Sequence, residues 1–226
     1  MQDLRHFPLF ADVDPSALEP YFQRCRWHSY EAGEMIIDHL EMSNDVRFIA
    51  HGTVRIVVRM LEGREVIFND LEAGQFFGEL AAIDNGPRSA NASAHTNVQI
   101  CIMPQTVFLE ICRDIPEVGS RIAEHLVKMV RSLSDRLSEF SFLKAKHRLY
   151  AELLRLSKPR ANSDQRIISP SPLQSDIADR ISSRREIVSR EMKELERMDI
   201  LERTRGGLVI LDPKRLATLA ADGWTS

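Results

Sequence analysis

Cysteine and uninterrupted apolar sequence are both scarce in this chain. Its 226 residues contain three cysteines, Cys25, Cys101 and Cys112, odd in number and far apart. They form no Cys-x-x-Cys pair and no disulfide framework, which fits packed thiols in a reducing cytoplasm. No apolar run nears the roughly 18–20 residues a membrane helix needs, so no membrane partner is expected. The first residues, MQDLRHFPLF, lack a basic stretch followed by an apolar one, and no signal peptide is expected. An iron–sulfur centre would need about four cysteines, several of them grouped. The histidines (His6, His28, His39, His51, His95, His125 and His147) are scattered without ligand spacing, so surface or local hydrogen-bonding roles are expected and no metal, haem or cluster. There is no nucleophile–base pair and no glycine-rich triphosphate loop, so no enzyme activity is expected.

What is present is unevenly distributed. From Lys144 onward the chain has 17 Lys and Arg against 12 Asp and Glu; before it, 13 against 21. The formal charge of −3 thus divides into a C-terminal +5 and an N-terminal −8, and only the C-terminal part is suited to a polyanion.

The local patterns divide the chain in the same place. Short apolar runs at Met35–Ile37, Val46–Ile49, Val54–Val58, Val66–Phe68 and Val98–Met103 are punctuated by Gly33, Gly52, Gly63, Gly74 and Gly86. That pattern predicts short strands with tight turns, in a sandwich or barrel. After Pro116 the period changes. Ile122, Leu126, Met129, Leu133, Leu137, Phe140 and Leu143 lie three or four residues apart, one stripe on a long helix over 116–143. Near-heptad spacing suits pairing with a second copy, although Arg136 stands where a strict heptad wants an apolar residue. A short amphipathic helix over 146–157 follows, built on Leu149, Leu153, Leu154 and Leu156. Ser171-Pro172 with Gln174, and Ser183 with Glu186, have capping-box spacing. They predict two helices joined at Ile181-Ser182-Ser183, a helix-turn-helix. The second, over 184–198, turns Ile187, Met192, Leu195 and Met198 inward and exposes Arg184, Arg185, Ser189 and Arg190. Ile200–Arg203, a Gly206-Gly207 turn and Leu208–Leu211 predict a two-stranded wing, and Asp212-Pro213 caps a last helix.

The densest chemical signal is Phe76-Phe77-Gly78-Glu79-Leu80-Ala81-Ala82 followed by Gly86-Pro87-Arg88-Ser89-Ala90. This string resembles the phosphate-binding cassette of cyclic-nucleotide-binding domains. Over nearly its full length the chain resembles the catabolite-activator and FNR-like (Crp/Fnr) family of bacterial regulators. The resemblance implies an α+β architecture: a jelly-roll β-barrel sensor over 1–115, a long dimerisation helix over 116–143, and a winged helix-turn-helix over 144–226. It implies a ligand site of Gly78, Glu79, Leu80, Arg88, Ser89 and Ala90. The chemistry is coherent, because a cyclic phosphodiester is a monoanion that a guanidinium can grip. Ser89 and backbone N–H groups around Ala90 can add donors. Glu79 can accept from the ribose 2′-hydroxyl, and Gly78 leaves room for the sugar. In relatives that bind cyclic AMP, a Thr-Ser pair on the long helix reaches the purine. Here Ser134 matches, while Leu133 stands in place of the Thr. Cyclic AMP and cyclic GMP both remain open as effectors, as does a non-nucleotide effector or none.

In the C-terminal part, Arg185, Glu186 and Arg190 match the family's base-reading set, which implies palindromic double-stranded DNA with TGTGA-like half-sites. An Arg fork fits guanine O6 and N7, and a carboxylate accepts from cytosine N4. Arg184, Ser189, Arg203 and Arg205 are candidate phosphate contacts. The family further implies a cytoplasmic homodimer that recruits or blocks RNA polymerase. A cyclic-nucleotide module acting on a protein partner is the rival from another class.

Overall fold

The computed structural model describes every residue except 1–3, 5, 6, 40, 60–64, 225 and 226. His6 and the turn expected at Gly63 therefore lie outside the described residues. The chain divides into two compact units, Met1–Met129 and Val130–Ser226.

Two four-stranded antiparallel sheets form the body of the first unit. One has the order β1-β8-β3-β6, from Arg26–Tyr30, Val98–Met103, Val46–His51 and Phe76–Phe77. The other has the order β2-β7-β4-β5, from Met35–Ile37, Asn91–Ala94, Thr53–Arg59 and Glu65–Glu72. The two sheets are not hydrogen-bonded into a closed barrel. They form a jelly-roll-like sandwich, which corrects the expected barrel while keeping its class.

Side-chain alternation along the strands explains the layering. On β8, Val98 and Ile100 turn into the space between the sheets, with Ile37, Ile49, Val54 and Phe77. Cys101 and Met103 turn to the opposite face. There they meet Phe10, Leu18, Phe108 and Ile111, from the N-terminal segment, α1 (Pro15–Phe22) and α3 (Gln105–Asp114). A short helix α2 (Glu79–Asp84) follows β6. The long helix α4 spans Pro116–Phe142, with Val118 and Ile122 buried in this unit.

The second unit contains α5 (Ala145–Leu156), β9 (Lys158–Pro159), β10 (Arg166–Ile168), α6 (Gln174–Arg180), α7 (Arg185–Arg197), β11 (Leu201–Thr204), β12 (Gly207–Ile210) and α8 (Pro213–Ala221). Leu149 and Leu153 of α5, Ile177 of α6, Val188 and Leu195 of α7, and Leu208 and Ile210 of β12 share one core. The expected two-stranded wing is part of a four-stranded sheet, β11-β12-β10-β9. Neither expected capping box forms. The N-cap of α6 is Leu173 and that of α7 is Arg184, each without a side-chain bond. Ser171 and Ser183 stay outside because the helix starts follow burial of Ile177, Ala178 and Val188, and water can serve the first-turn N–H groups. Asp212 does cap α8, accepting from the Arg215 N–H at 2.9 Å.

Charge is buried in this core. The Glu152 side chain is 1% exposed, and Arg155 of its own helix donates to it. Arg180 of α6 lies 3.5 Å away, and Arg136, near the end of α4, 3.6 Å. Arg136 thus leaves the apolar stripe to pair with this carboxylate, and burial lowers its pKa first, with Glu152 opposing. Removing one partner of a buried ionic cluster strands the others. Glu152→Ala is therefore expected to destabilise the second unit by about 3–5 kcal/mol, read as a lower urea midpoint by circular dichroism.

Candidate functional site

The cassette begins where β6 ends. Gly78 precedes α2 with φ of +90°. A Cβ at this position would lie 2.6 Å from Arg88 Nη1 and 2.8 Å from the Asp45 carbonyl oxygen. Both the left-handed backbone and the close approach require glycine. Glu79 opens α2 and turns inward. The helix ends at Asn85, also left-handed, and Gly86-Pro87 lead back to Arg88.

Arg88 is the best-partnered residue of the site, and its side chain is 2% exposed. Nε donates to Ser43 Oγ at 3.1 Å, and Nη1 to the Gly78 carbonyl at 3.1 Å. Nη2 meets Asp45 Oδ1 at 2.8 Å, the Asp45 carbonyl at 3.0 Å and Ser43 Oγ at 2.9 Å. Of the five N–H bonds of a guanidinium, one on Nη1 has no acceptor among the described residues. Asp45 also serves Arg47, whose Nε lies 3.0 Å from Oδ2. One carboxylate is thus divided between two buried guanidinium groups. Burial lowers the Arg88 pKa and the Asp45 charge raises it back.

The other cassette residues are placed as follows. The Glu79 side chain is 6% exposed, and among the described residues its one ionic neighbour is His125 Nε2 of α4, at 3.8 Å. Leu80 and Ser89 are exposed and Ala90 is half-buried. Gly78, Glu79 and Arg88 are brought together around one turn. Ser134 belongs to the second unit, is exposed, and donates to the Val130 carbonyl of its own helix at 3.0 Å. Sequence reasoning missed Ser43, Asp45, Arg47 and His125. For His125 a signal existed, because it lies seven residues after Val118 and three after Ile122, on their helix face.

On α7, Val188, Met192 and Leu195 are buried, with Ile187 and Met198 only half-buried. Arg184, Arg185, Glu186 and Arg190 are exposed, while Ser189 is half-buried rather than exposed. Among the described residues Arg190 reaches only its neighbour Glu191, at 3.3 Å. Arg203 on β11 donates to Glu196 at 2.7 Å, whereas Arg205 stands at the exposed turn between β11 and β12. On α4, Val130, Leu133, Leu137 and Phe140 form an exposed apolar row with alternating steps of three and four. Among the described residues no helix is long and apolar enough to cross a membrane, and no group of three or more His, Cys, Asp or Glu could hold a metal ion.

A sensor-type β-sandwich followed by a helix-turn-helix defines a ligand-binding transcription regulator. Two family models match the chain: a cyclic nucleotide-binding domain over residues 27–114 and a Crp-like helix-turn-helix domain over residues 147–219. The chain belongs to the Crp/Fnr family of DNA-binding transcription regulators. It is 26% identical to the cAMP-activated global transcriptional regulator CRP of Salmonella typhimurium over 191 residues, 84% of this chain and 90% of that protein. It shares the fold of a CooA mutant from Carboxydothermus hydrogenoformans, with a TM-score of 0.77 and 19% identity over 93% of this chain and 97% of that one. It also shares the fold of the c-di-GMP responsive global regulator CLP of Xanthomonas campestris, with a TM-score of 0.68 and 19% identity over 88% and 99% of the two chains.

Gly78→Ala is expected to cost about 1–3 kcal/mol from the positive φ alone, and more from the contact with Arg88. Gly86→Ala, whose φ is not positive and whose Cβ would meet only the Asp84 side chain, is the near-neutral control in the same thermal unfolding series.

Proposed function

We propose that the chain is a homodimeric, cytoplasmic regulator in which a cyclic nucleotide in the first unit controls DNA binding by the second. The carrying observation is Arg88: a buried guanidinium that shares its one carboxylate with Arg47 and, among the described residues, keeps an N–H without an acceptor. Such a site favours one added anionic oxygen. The phosphate would take that N–H, the Ser89 hydroxyl and the N–H of Ala90. Glu79 would take the sugar, with Gly78 and Leu80 walling it. In this reading Ser134 reaches the base, and the Val130–Phe140 row joins two copies along α4. The pair of α7 helices would then stand ~34 Å apart, the spacing a palindrome requires. Arg185, Glu186 and Arg190 read TGTGA-like half-sites. Arg184, Ser189, Arg203 and Arg205 hold phosphates, and RNA polymerase is the downstream partner. The name of the Salmonella relative, cAMP-activated, supports cyclic AMP as the first effector to try, with cyclic GMP second.

Calorimetric titration with each nucleotide tests this. Micromolar binding of one is expected, and Arg88→Ala should weaken it at least about 100-fold, the loss of a charge-assisted, multiply bonded contact. One observation favours a second reading, a non-nucleotide effector or none: the Asp45 carboxylate already occupies Arg88. The titration separates the two, since no heat with either nucleotide leaves only the second.

The DNA site carries its own expectation. Arg185→Ala should cost about 1–3 kcal/mol on an operator and relax specificity at one base pair. Arg205→Ala should weaken all sequences alike and lower the salt slope by about one. Gel shifts across a salt series read both.

A further inference from the structure

His125 and Glu79 present a mismatch that protein atoms do not resolve. The Glu79 carboxylate is almost fully buried, yet among the described residues no hydrogen bond reaches it. His125 Nε2 faces it, is itself buried, and has no hydrogen-bond partner. The imidazole ring is held in place by Phe76, with ring centroids 4.7 Å apart. Phe76 and Glu79 flank Gly78, so the ring packs against the cassette itself. A buried imidazole nitrogen without a partner is costly, and the carboxylate it faces is free to accept, so the pair is suited to a third polar group.

The spacing says what kind of group fits. At 3.8 Å, Nε2 and Oε1 are too far apart to bond each other and too close to admit two atoms in line. One oxygen can stand about 2.8 Å from both. That oxygen has to donate to a carboxylate and accept from an imidazole N–H. A hydroxyl does both; a carbonyl cannot donate, and an amine is a poor acceptor beside an N–H.

We propose that His125 is a specificity-determining residue that reads the sugar hydroxyl of the effector jointly with Glu79, so that the site selects ribose over deoxyribose through two contacts to one oxygen. This rests on the reading of the cassette as a cyclic-nucleotide site. The hydroxyl donates to Glu79 Oε1 and accepts from His125 Nε2–H. The tilted contact with Phe76 restrains the ring, which lowers the cost of ordering it on binding. The contact also brings a residue of α4 onto the ligand.

The test is a cycle of two ligands and three proteins, all full-length. Cyclic AMP or cyclic GMP, whichever the wild type binds, is titrated beside its 2′-deoxy analogue. Wild type should prefer the ribose form at least about 10-fold. His125→Phe keeps a ring on Phe76 but removes the N–H. It should weaken the ribose ligand at least about 3-fold, leave the deoxy ligand unchanged, and so cut the preference to what Glu79 alone supplies. His125→Gln, which retains an N–H donor, should restore part of it. A merely structural role for His125 would weaken both ligands alike and leave the ratio intact, and that result overturns the proposal. A His125→Phe protein that binds both ligands like wild type overturns it equally. If the wild type binds neither nucleotide, the cyclic-nucleotide reading fails first and the role of His125 with it. Binding by wild type with an unaltered ratio in His125→Phe removes the His125 role alone.

Discussion

A guanidinium with its side chain 2% exposed cannot stand unmatched in a protein core, and much of the sensor unit is arranged to match it. Asp45 sits at the end of the segment leading into β3, so that one carboxylate reaches both Arg47 and Arg88. Ser43 bonds the same guanidinium from the same segment. Residue 78 has to be glycine because Arg88 Nη1 and the Asp45 carbonyl leave no room for a Cβ. That glycine in turn lets β6 bend into α2 and turn Glu79 inward. A single buried cation thus fixes the geometry of residues up to 45 positions apart in the chain. The second unit obeys the same rule with the sign reversed. There Glu152 is the buried charge, and three arginines from three helices gather round it.

The two clusters differ in what they leave over. At Glu152 three cations surround one buried carboxylate, and Glu139, 2.6 Å from Arg155, adds a second negative charge. At Arg88 the Asp45 carboxylate is shared with Arg47, which Glu41 also approaches at 3.6 Å, and among the described residues one N–H on Nη1 has no acceptor. An added anionic oxygen at Arg88 would take that open N–H. The difference explains why only the first cluster is read as a ligand site, although both are rich in arginine.

Elements built on local periodicity were legible in the sequence. The stripe after Pro116 predicted a helix over 116–143, and the structure has Pro116–Phe142. The five apolar runs all fall in strands. Strands without such runs were invisible: β1 reads Arg-Trp-His-Ser-Tyr and β7 Asn-Ala-Ser-Ala, and both owe their conformation to the strands beside them. The cassette was legible because Gly78, Glu79 and Arg88 lie within eleven residues. The partners of these residues were not, because Asp45 precedes Arg88 by 43 residues and His125 follows Glu79 by 46. No local pattern encodes contacts of that length. The capping boxes failed in the opposite way, since their spacing was correct and tertiary burial set the helix starts instead.

Helix α4 carries these threads together. Its first turns are buried in the sensor unit through Val118 and Ile122, and His125 follows on the same face, opposite Glu79. Its last turns belong to the second unit, where Arg136 and Glu139 join the charges around Glu152 and Arg155. The exposed Val130–Phe140 row runs along the same stretch as Arg136 and Glu139, on other positions of the helix. A ligand can shift the arrangement of such a protein only by binding one arrangement more tightly than another. A contact confined to the cassette would bind every arrangement of α4 equally and shift nothing. A contact that includes His125 depends on where α4 lies, so the same hydrogen bond that selects the sugar would give the ligand its leverage on the helix.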